Sequence, residues 1–198
     1  MSQECDKVIN KGTGAGGANT NKNGLAFEAK TDIENMLLEA GFVKKEIDKK
    51  YYYLEWENIV YVKQNGFKQY MSSTFKIDDI FKKPDECFII KDEDNKYTVK
   101  VLEKKNQNCD GSVEEKLLLG NPFKRIYEMM LESDTYKFTI DYAFCMSSFL
   151  KTKITSDAPK YKIINKLFQQ DNITLLYGDD SDYFDKVLEW IGIDIVFE

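Results

Sequence analysis

Asp85, Glu103, Lys105 and Gln107 are the residues of this 198-residue chain whose types and spacing can do chemistry together. Pro84 and Asp85 precede a short apolar run, Cys87 to Ile90. A polar turn, Asp92 to Asn95, separates that run from an alternating one, Tyr97 to Lys105, which ends in Glu103-Lys104-Lys105. Two strands joined by such a turn form an antiparallel hairpin, and folding about the turn sets Asp85 opposite Leu102 or Glu103. Side chains alternate along a strand, so Val99, Val101, Glu103, Lys105 and Gln107 share a face. Two carboxylates and a lysine at the rim of a core are costly unless a cation and a substrate complete them. The chemistry that fits is metal-dependent hydrolysis of a phosphodiester. Asp85 and Glu103 would ligate Mg²⁺, with Mn²⁺ as a substitute, joined by the backbone carbonyl of Lys104. Such an ion lowers the pKa of a bound water and holds a non-bridging phosphate oxygen. Lys105 would orient and help deprotonate that water and offset charge in the transition state. Gln107, one pleat further on, would position water or phosphate.

Composition removes the competing chemistries. No histidine occurs, which excludes Ser/His/Asp and Cys/His nucleophile systems, His-ligated zinc and nucleases with a histidine base. Cys5, Cys87, Cys109 and Cys145 form no C-x-x-C pair, and Cys87 and Cys145 sit in apolar runs that predict buried thiols. A net charge of −6 argues at first against nucleic acid. The last 38 residues, however, hold three lysines and eight carboxylates, among them Asp179, Asp180, Asp182, Asp185, Asp194 and Glu198. Five of the six net charges are therefore local, and a near-neutral body can carry a basic face. The first residues show no charged-then-apolar signal pattern, and no apolar run approaches the ~20 residues needed to span a bilayer. The expectation is a cytoplasmic or otherwise intracellular protein with no membrane partner.

The elements that must position these residues follow from the hydropathy pattern. Residues 1–24 read as a Gly/Asn-rich arm or loop, and residues 25–198 as a single domain. Gly12, Gly14 and Gly17 match G-x-G-x-x-G in form, but no strand precedes them and no helix follows directly, so no nucleotide cofactor is expected. Leu25 to Ala40 carries a helical stripe (Ala26, Ala29, Ile33, Met36, Leu37, Ala40) that Gly41 would stop. Tyr51 to Trp56 and Ile59 to Lys63 predict a hairpin, and Tyr70 to Phe75 an extended piece. Ser112 to Glu115 reads as a capping box opening a helix to about Leu119; Asn121 and Pro122 restart one to about Leu131. Tyr136 to Leu150 is strand-rich, Pro159 to Gln170 helical, Ile173 to Tyr177 a strand and Asp182 to Ile191 a last helix. The sum is a mixed α/β domain.

Pro84-Asp85 followed by Glu103-Lys104-Lys105 resembles the PD-(D/E)XK motif of restriction-endonuclease-like nucleases, including its placement at the start of one strand and the end of the next. The segments from Glu103 to Lys116 and from Gly14 to Glu28 also resemble runs of restriction-endonuclease-type sequences. The resemblance implies a restriction-endonuclease-like core, a mixed central β-sheet flanked by helices, and a Mg²⁺-dependent, site-specific DNA endonuclease. It implies double-stranded DNA as partner and a homodimer, because cutting both strands takes two sites. A first-helix acidic residue often joins the site in this family, and Glu28 is the residue that would do so here. Asp85 departs from the pattern by lying at the very start of its strand. A structure-specific or repair nuclease, or a catalytically silent nucleic-acid-binding protein, keeps the same fold.

Lys82, Lys83, Lys124 and Arg125 are candidates for phosphate contact, and Arg125 alone offers the guanidinium fork that reads guanine. Asn19 and Asn21 lie in the 12–24 stretch, whose backbone N–H groups would approach DNA phosphates. Plainer readings stand beside these. Glu103 to Lys105 can be a solvated strand end, Asp85 a turn residue, Glu28 part of an exposed helix face and Gln107 part of a surface turn.

Overall fold

A computed structural model describes residues 18–107 and 117–193, with side chains from residue 24 onward. The segment 108–116, with the Ser112–Glu115 capping box and Cys109, lies outside the described residues. So do Cys5, the Gly12 to Gly17 stretch, Asp194 and Glu198.

Seven strands lie side by side in chain order: β1 (Val43–Glu46), β2 (Tyr52–Trp56), β3 (Ile59–Val62), β4 (Glu86–Glu93), β5 (Lys96–Lys105), β6 (Lys137–Met146) and β7 (Ile173–Tyr177). The first five form an antiparallel meander, and β6 and β7 continue parallel to β5. Parallel neighbours need crossovers. α4 (Gly120–Met130) supplies the first; α5 (Ser148–Ile154) and α6 (Pro159–Gln170) supply the second. The expected mixed α/β sheet flanked by helices is what the chain forms.

Strand alternation divides the core in two. Cys87, Ile89, Val99, Val101, Tyr142 and Phe144 face α4, α5, α6 and α3 (Gln64–Tyr70). Phe88, Leu102, Ala143 and Cys145 face α1 (Ala18–Lys30), α2 (Glu34–Glu39) and α7 (Tyr183–Ile191). Both faces are covered, as a sheet with a parallel half requires. Cys87 and Cys145 are buried free thiols, as their apolar runs predict.

Four expectations need correction. The 12–24 stretch is not a loop to its end, because α1 begins at Ala18. The single helix over residues 25–40 breaks at Thr31, whose Oγ1 donates to the Phe27 carbonyl at 2.8 Å. Asp32 Oδ1 then accepts the Glu34 N–H at 3.0 Å and opens α2. Tyr70 to Phe75 is not extended: α3 runs on as a π-helical turn over Met71–Phe75, because Phe67, Met71 and Phe75, four apart, are all buried. The strand from Tyr136 ends at Met146, where Ser147 leads into α5 and Asp179 Oδ2 accepts the Ser148 N–H at 2.6 Å. β1, whose residues are all exposed, carries no alternating pattern and went unread. In the acidic C-terminal stretch, Asp179 pairs with Lys30, Asp180 with Lys151 and Asp182 with Lys186.

Candidate active site

The β4–β5 register aligns Glu86 with Leu102, so one step further Asp85 stands opposite Glu103. Both belong to the alternation that carries Cys87 and Val101, and they emerge at the end of the sheet on the α4 face. Beyond Glu86 the chain leaves the ladder: the Pro84 carbonyl accepts the Gln64 N–H at 3.0 Å, and Asp85 Oδ2 accepts the Lys104 N–H at 2.7 Å. The Lys104 carbonyl is left to the Lys105 ammonium at 3.2 Å. The Lys104 carbonyl and the Glu103 carboxylate thus share the Lys105 ammonium.

Glu103, 4% exposed, holds two lysines. Lys105 Nζ reaches Oε2 at 2.9 Å and Lys82 Nζ reaches Oε1 at 2.6 Å. Burial raises the pKa of Glu103, and the Lys105 and Lys82 charges outweigh it, holding the carboxyl below its ordinary value. Asp85 goes the other way. Burial and the neighbouring Glu103 carboxylate push it up, against the Lys104 N–H. Two adjacent carboxylates driven apart in this way form a polarised pair. Beneath them Tyr127 and Tyr142 are fully buried, and their hydroxyls have no hydrogen-bond partner among the described residues. Burial first, then the Glu103 charge, keeps both phenols neutral.

Lys104 points to the opposite face, where sequence reading had assigned nothing. Its Nζ, on a side chain 4% exposed, bonds Glu86 Oε1 at 2.9 Å and the Glu28 carbonyl at 3.3 Å. Glu86 Oε1 also accepts from the Tyr61 hydroxyl at 3.0 Å and from the Ile33 N–H at 3.4 Å. The signal was legible: Glu86 and Lys104 are charged residues on the parity of Phe88 and Leu102, a face that α1 and α2 bury. This pair ties the C-terminal half of α1 to the strand ends. A cleft of about 430 Å³ opens there, lined by Glu28, Asp32, Lys63, Asn65, Asp85 and Lys104. Glu28 is therefore brought beside Asp85, and its charge adds to the upward push on that carboxyl.

The remaining predicted residues are not all drawn in. Gln107 is buried, not on a surface turn: its N–H donates to Ser147 Oγ at 3.3 Å and its carbonyl accepts from the same hydroxyl at 2.9 Å. Lys82 is part of the carboxylate site itself. Lys83 is exposed and bonds Asn65 Oδ1 at 2.8 Å. Lys124 turns onto the Asp171 carbonyl at 3.0 Å, and Arg125 is exposed beside Glu128 on its own helix. Asn19 and Asn21 fall in the first turns of α1; their side chains lie outside the described part.

The Asp85 carboxylate, the Glu103 carboxylate and the Lys104 carbonyl are hard oxygen donors, the set that suits Mg²⁺, an ion that keeps several of its waters. No group of three or more acidic, histidine or cysteine side chains gathers to hold a metal ion among the described residues. The donor set thus fits a cation held by two carboxylates, one carbonyl and solvent, and nothing larger. Among the described residues no helix is long and apolar enough to cross a membrane. Comparison with protein-family models, with curated proteins and with solved structures finds no match to this chain.

Proposed function

We propose that this protein is a Mg²⁺-dependent DNA endonuclease of restriction type, of the PD-(D/E)XK kind. The observation that carries the reading is the meeting of Asp85 with Glu103 and Lys105 at the ends of adjacent strands, beside the Lys104 carbonyl. The placement of the aspartate at the start of β4, of E-x-K at the end of β5 and of Glu28 on α1 beside them agrees with the resemblance. Bound there, Mg²⁺ supplies Lewis-acid stabilisation of phosphoryl charge and a water of lowered pKa. Asp85 and Glu103 would hold the ion, with the Lys104 N–H fixing the Asp85 carboxylate. Lys105, seated between Glu103 and the Lys104 carbonyl, would offset the negative charge that develops on the phosphoryl oxygens. The cleft along Glu28 and Lys63 takes the substrate strand on one side of Asp85. Cutting a duplex takes two such sites, and hence a two-fold pair of chains.

A second reading has its own support. Both oxygens of Glu103 already carry ammonium partners, as in a silent nucleic-acid-binding protein of the same fold. Incubation with plasmid DNA and MgCl₂, with Glu103→Ala and Lys105→Ala as controls, separates the two. Discrete fragments that disappear in both variants support the restriction reading, and cutting only at branched DNA redirects it to a structure-specific nuclease. A folded protein that cuts neither DNA nor RNA with Mg²⁺ or Mn²⁺ leaves the silent reading.

A further inference from the structure

Lys82 lies on the irregular stretch between the π-helical turn and β4, outside the sheet that holds Glu103. Its Nζ nevertheless sits 2.6 Å from Glu103 Oε1, and its side chain is only 20% exposed. The ammonium lies 4.2 Å from the centroid of the Phe123 ring and 6.0 Å from that of Tyr127. An aromatic wall of this kind favours a cation and gives it a seat when it is drawn out of water. Lys105 is held differently: it extends from β5 itself and bonds both Glu103 and the Lys104 carbonyl. Asp85 accepts only a backbone N–H among the described residues.

Charge counting makes the two lysines unequal. Asp85 and Glu103 balance Lys82 and Lys105, Glu28 beside Asp85 adds one negative charge, and a divalent cation between Asp85 and Glu103 then leaves an excess of one positive charge in a half-buried site. The excess is relieved if one ammonium leaves, and only Lys82 is on a stem free of the sheet. Resting on the nuclease reading above, we infer that Lys82 is an exchangeable counter-ion of Glu103, which holds the carboxylate in the absence of a divalent cation and turns to the phosphate of the substrate when one binds. The role goes beyond general phosphate affinity. It makes Lys82 a competitor for the metal in the free protein and a partner of the phosphodiester in the complex.

The test is a calorimetric titration of MnCl₂ into the metal-free full chain, Lys82→Met and Lys82→Gln, with thermal melts to verify that each is folded. Methionine keeps the apolar stem over Phe123, and glutamine keeps its polarity. Both variants are expected to bind Mn²⁺ about tenfold more tightly than the unsubstituted chain, because one positive charge has left the site. A second measurement needs no substitution. Brief acetylation followed by mass spectrometry is expected to label Lys82 faster once MnCl₂ is present, with the buried Lys104 as the unreactive control. Unchanged or weaker Mn²⁺ binding by both variants, or Lys82 labelling indifferent to Mn²⁺, overturns the exchange role and leaves the nuclease reading standing. No Mn²⁺ binding by any of the three chains overturns the metal-dependent reading, and the role of Lys82 with it.

Discussion

Replacing Lys104 by methionine separates the two adjacent lysines of the E-x-K segment into a structural one and a chemical one. Lys104 and Glu86 are 4% and 1% exposed, and their ion pair is supplemented by Tyr61 and Ile33 on the same carboxylate oxygen. Glu86 Oε2 has no partner among the described residues, so the pair has no spare donor to compensate a loss. Removing one member of a buried pair leaves an uncompensated charge and costs about 3–5 kcal/mol. Against a domain stability of about 5–15 kcal/mol, and about 2–4 °C per kcal/mol at this size, that lowers Tm by about 6–20 °C. Glu86→Gln combined with Lys104→Met removes both charges, and the double variant is expected to recover most of the loss. Lys105→Met leaves Glu103 its second ammonium, Lys82, and is expected to cost less than Lys104→Met while abolishing cleavage. Urea unfolding followed by the fluorescence of Trp56 and Trp190 measures all four proteins, and plasmid cleavage is measured beside it. A Lys104→Met variant as stable as Lys105→Met, or a double variant no more stable than Lys104→Met, would refute the reasoning.

Asp179 is held below its ordinary pKa of 3.8: burial opposes this, and the hydrogen bonds from Lys30 and the Ser148 N–H outweigh it. A carboxyl with a depressed folded-state pKa contributes stability that is complete above about 3.8 and is lost as pH falls through the folded value. Asp179→Asn is therefore expected to destabilise the protein at pH 6 and to flatten the acid limb of its stability–pH curve, read by urea midpoints from pH 6 to pH 2.5.

Much of the site was legible before any fold was known, because a hairpin register needs only a turn and two alternating runs. The turn at Asp92 to Asn95 and the parity of Val99 and Val101 together place Asp85 across from Leu102 or Glu103, and the pairing of Glu86 with Leu102 in the sheet selects Glu103. Helices with strong local signals were equally legible: Pro159 to Gln170 starts on its proline and ends where its apolar stripe ends. The π-helical turn after Tyr70 was missed because its aromatic and hydroxyl residues favour strands locally, while the four-residue spacing that buries Phe67, Met71 and Phe75 acts only once a sheet lies beneath it. Lys82 was read as a surface cation for a similar reason. Nothing in the local order of Lys82-Lys83-Pro84 says which lysine turns inward over Phe123, a residue contributed by a helix some forty positions later.

The amino-acid sequence by itself determined the chemistry available to this protein. Without histidine, any catalysis runs on carboxylates, lysine, tyrosine, cysteine or a hard metal ion, and strand alternation places Asp85, Glu103 and Lys105 at one end of one hairpin. Only the tertiary structure decided how those groups are charged and held. Helices on both faces bury Glu103 against Lys82 and Lys105 on one side, and Glu86 against Lys104 on the other. Desolvation, which no local pattern encodes, sets which carboxyl is held ionised and which is pushed toward its proton.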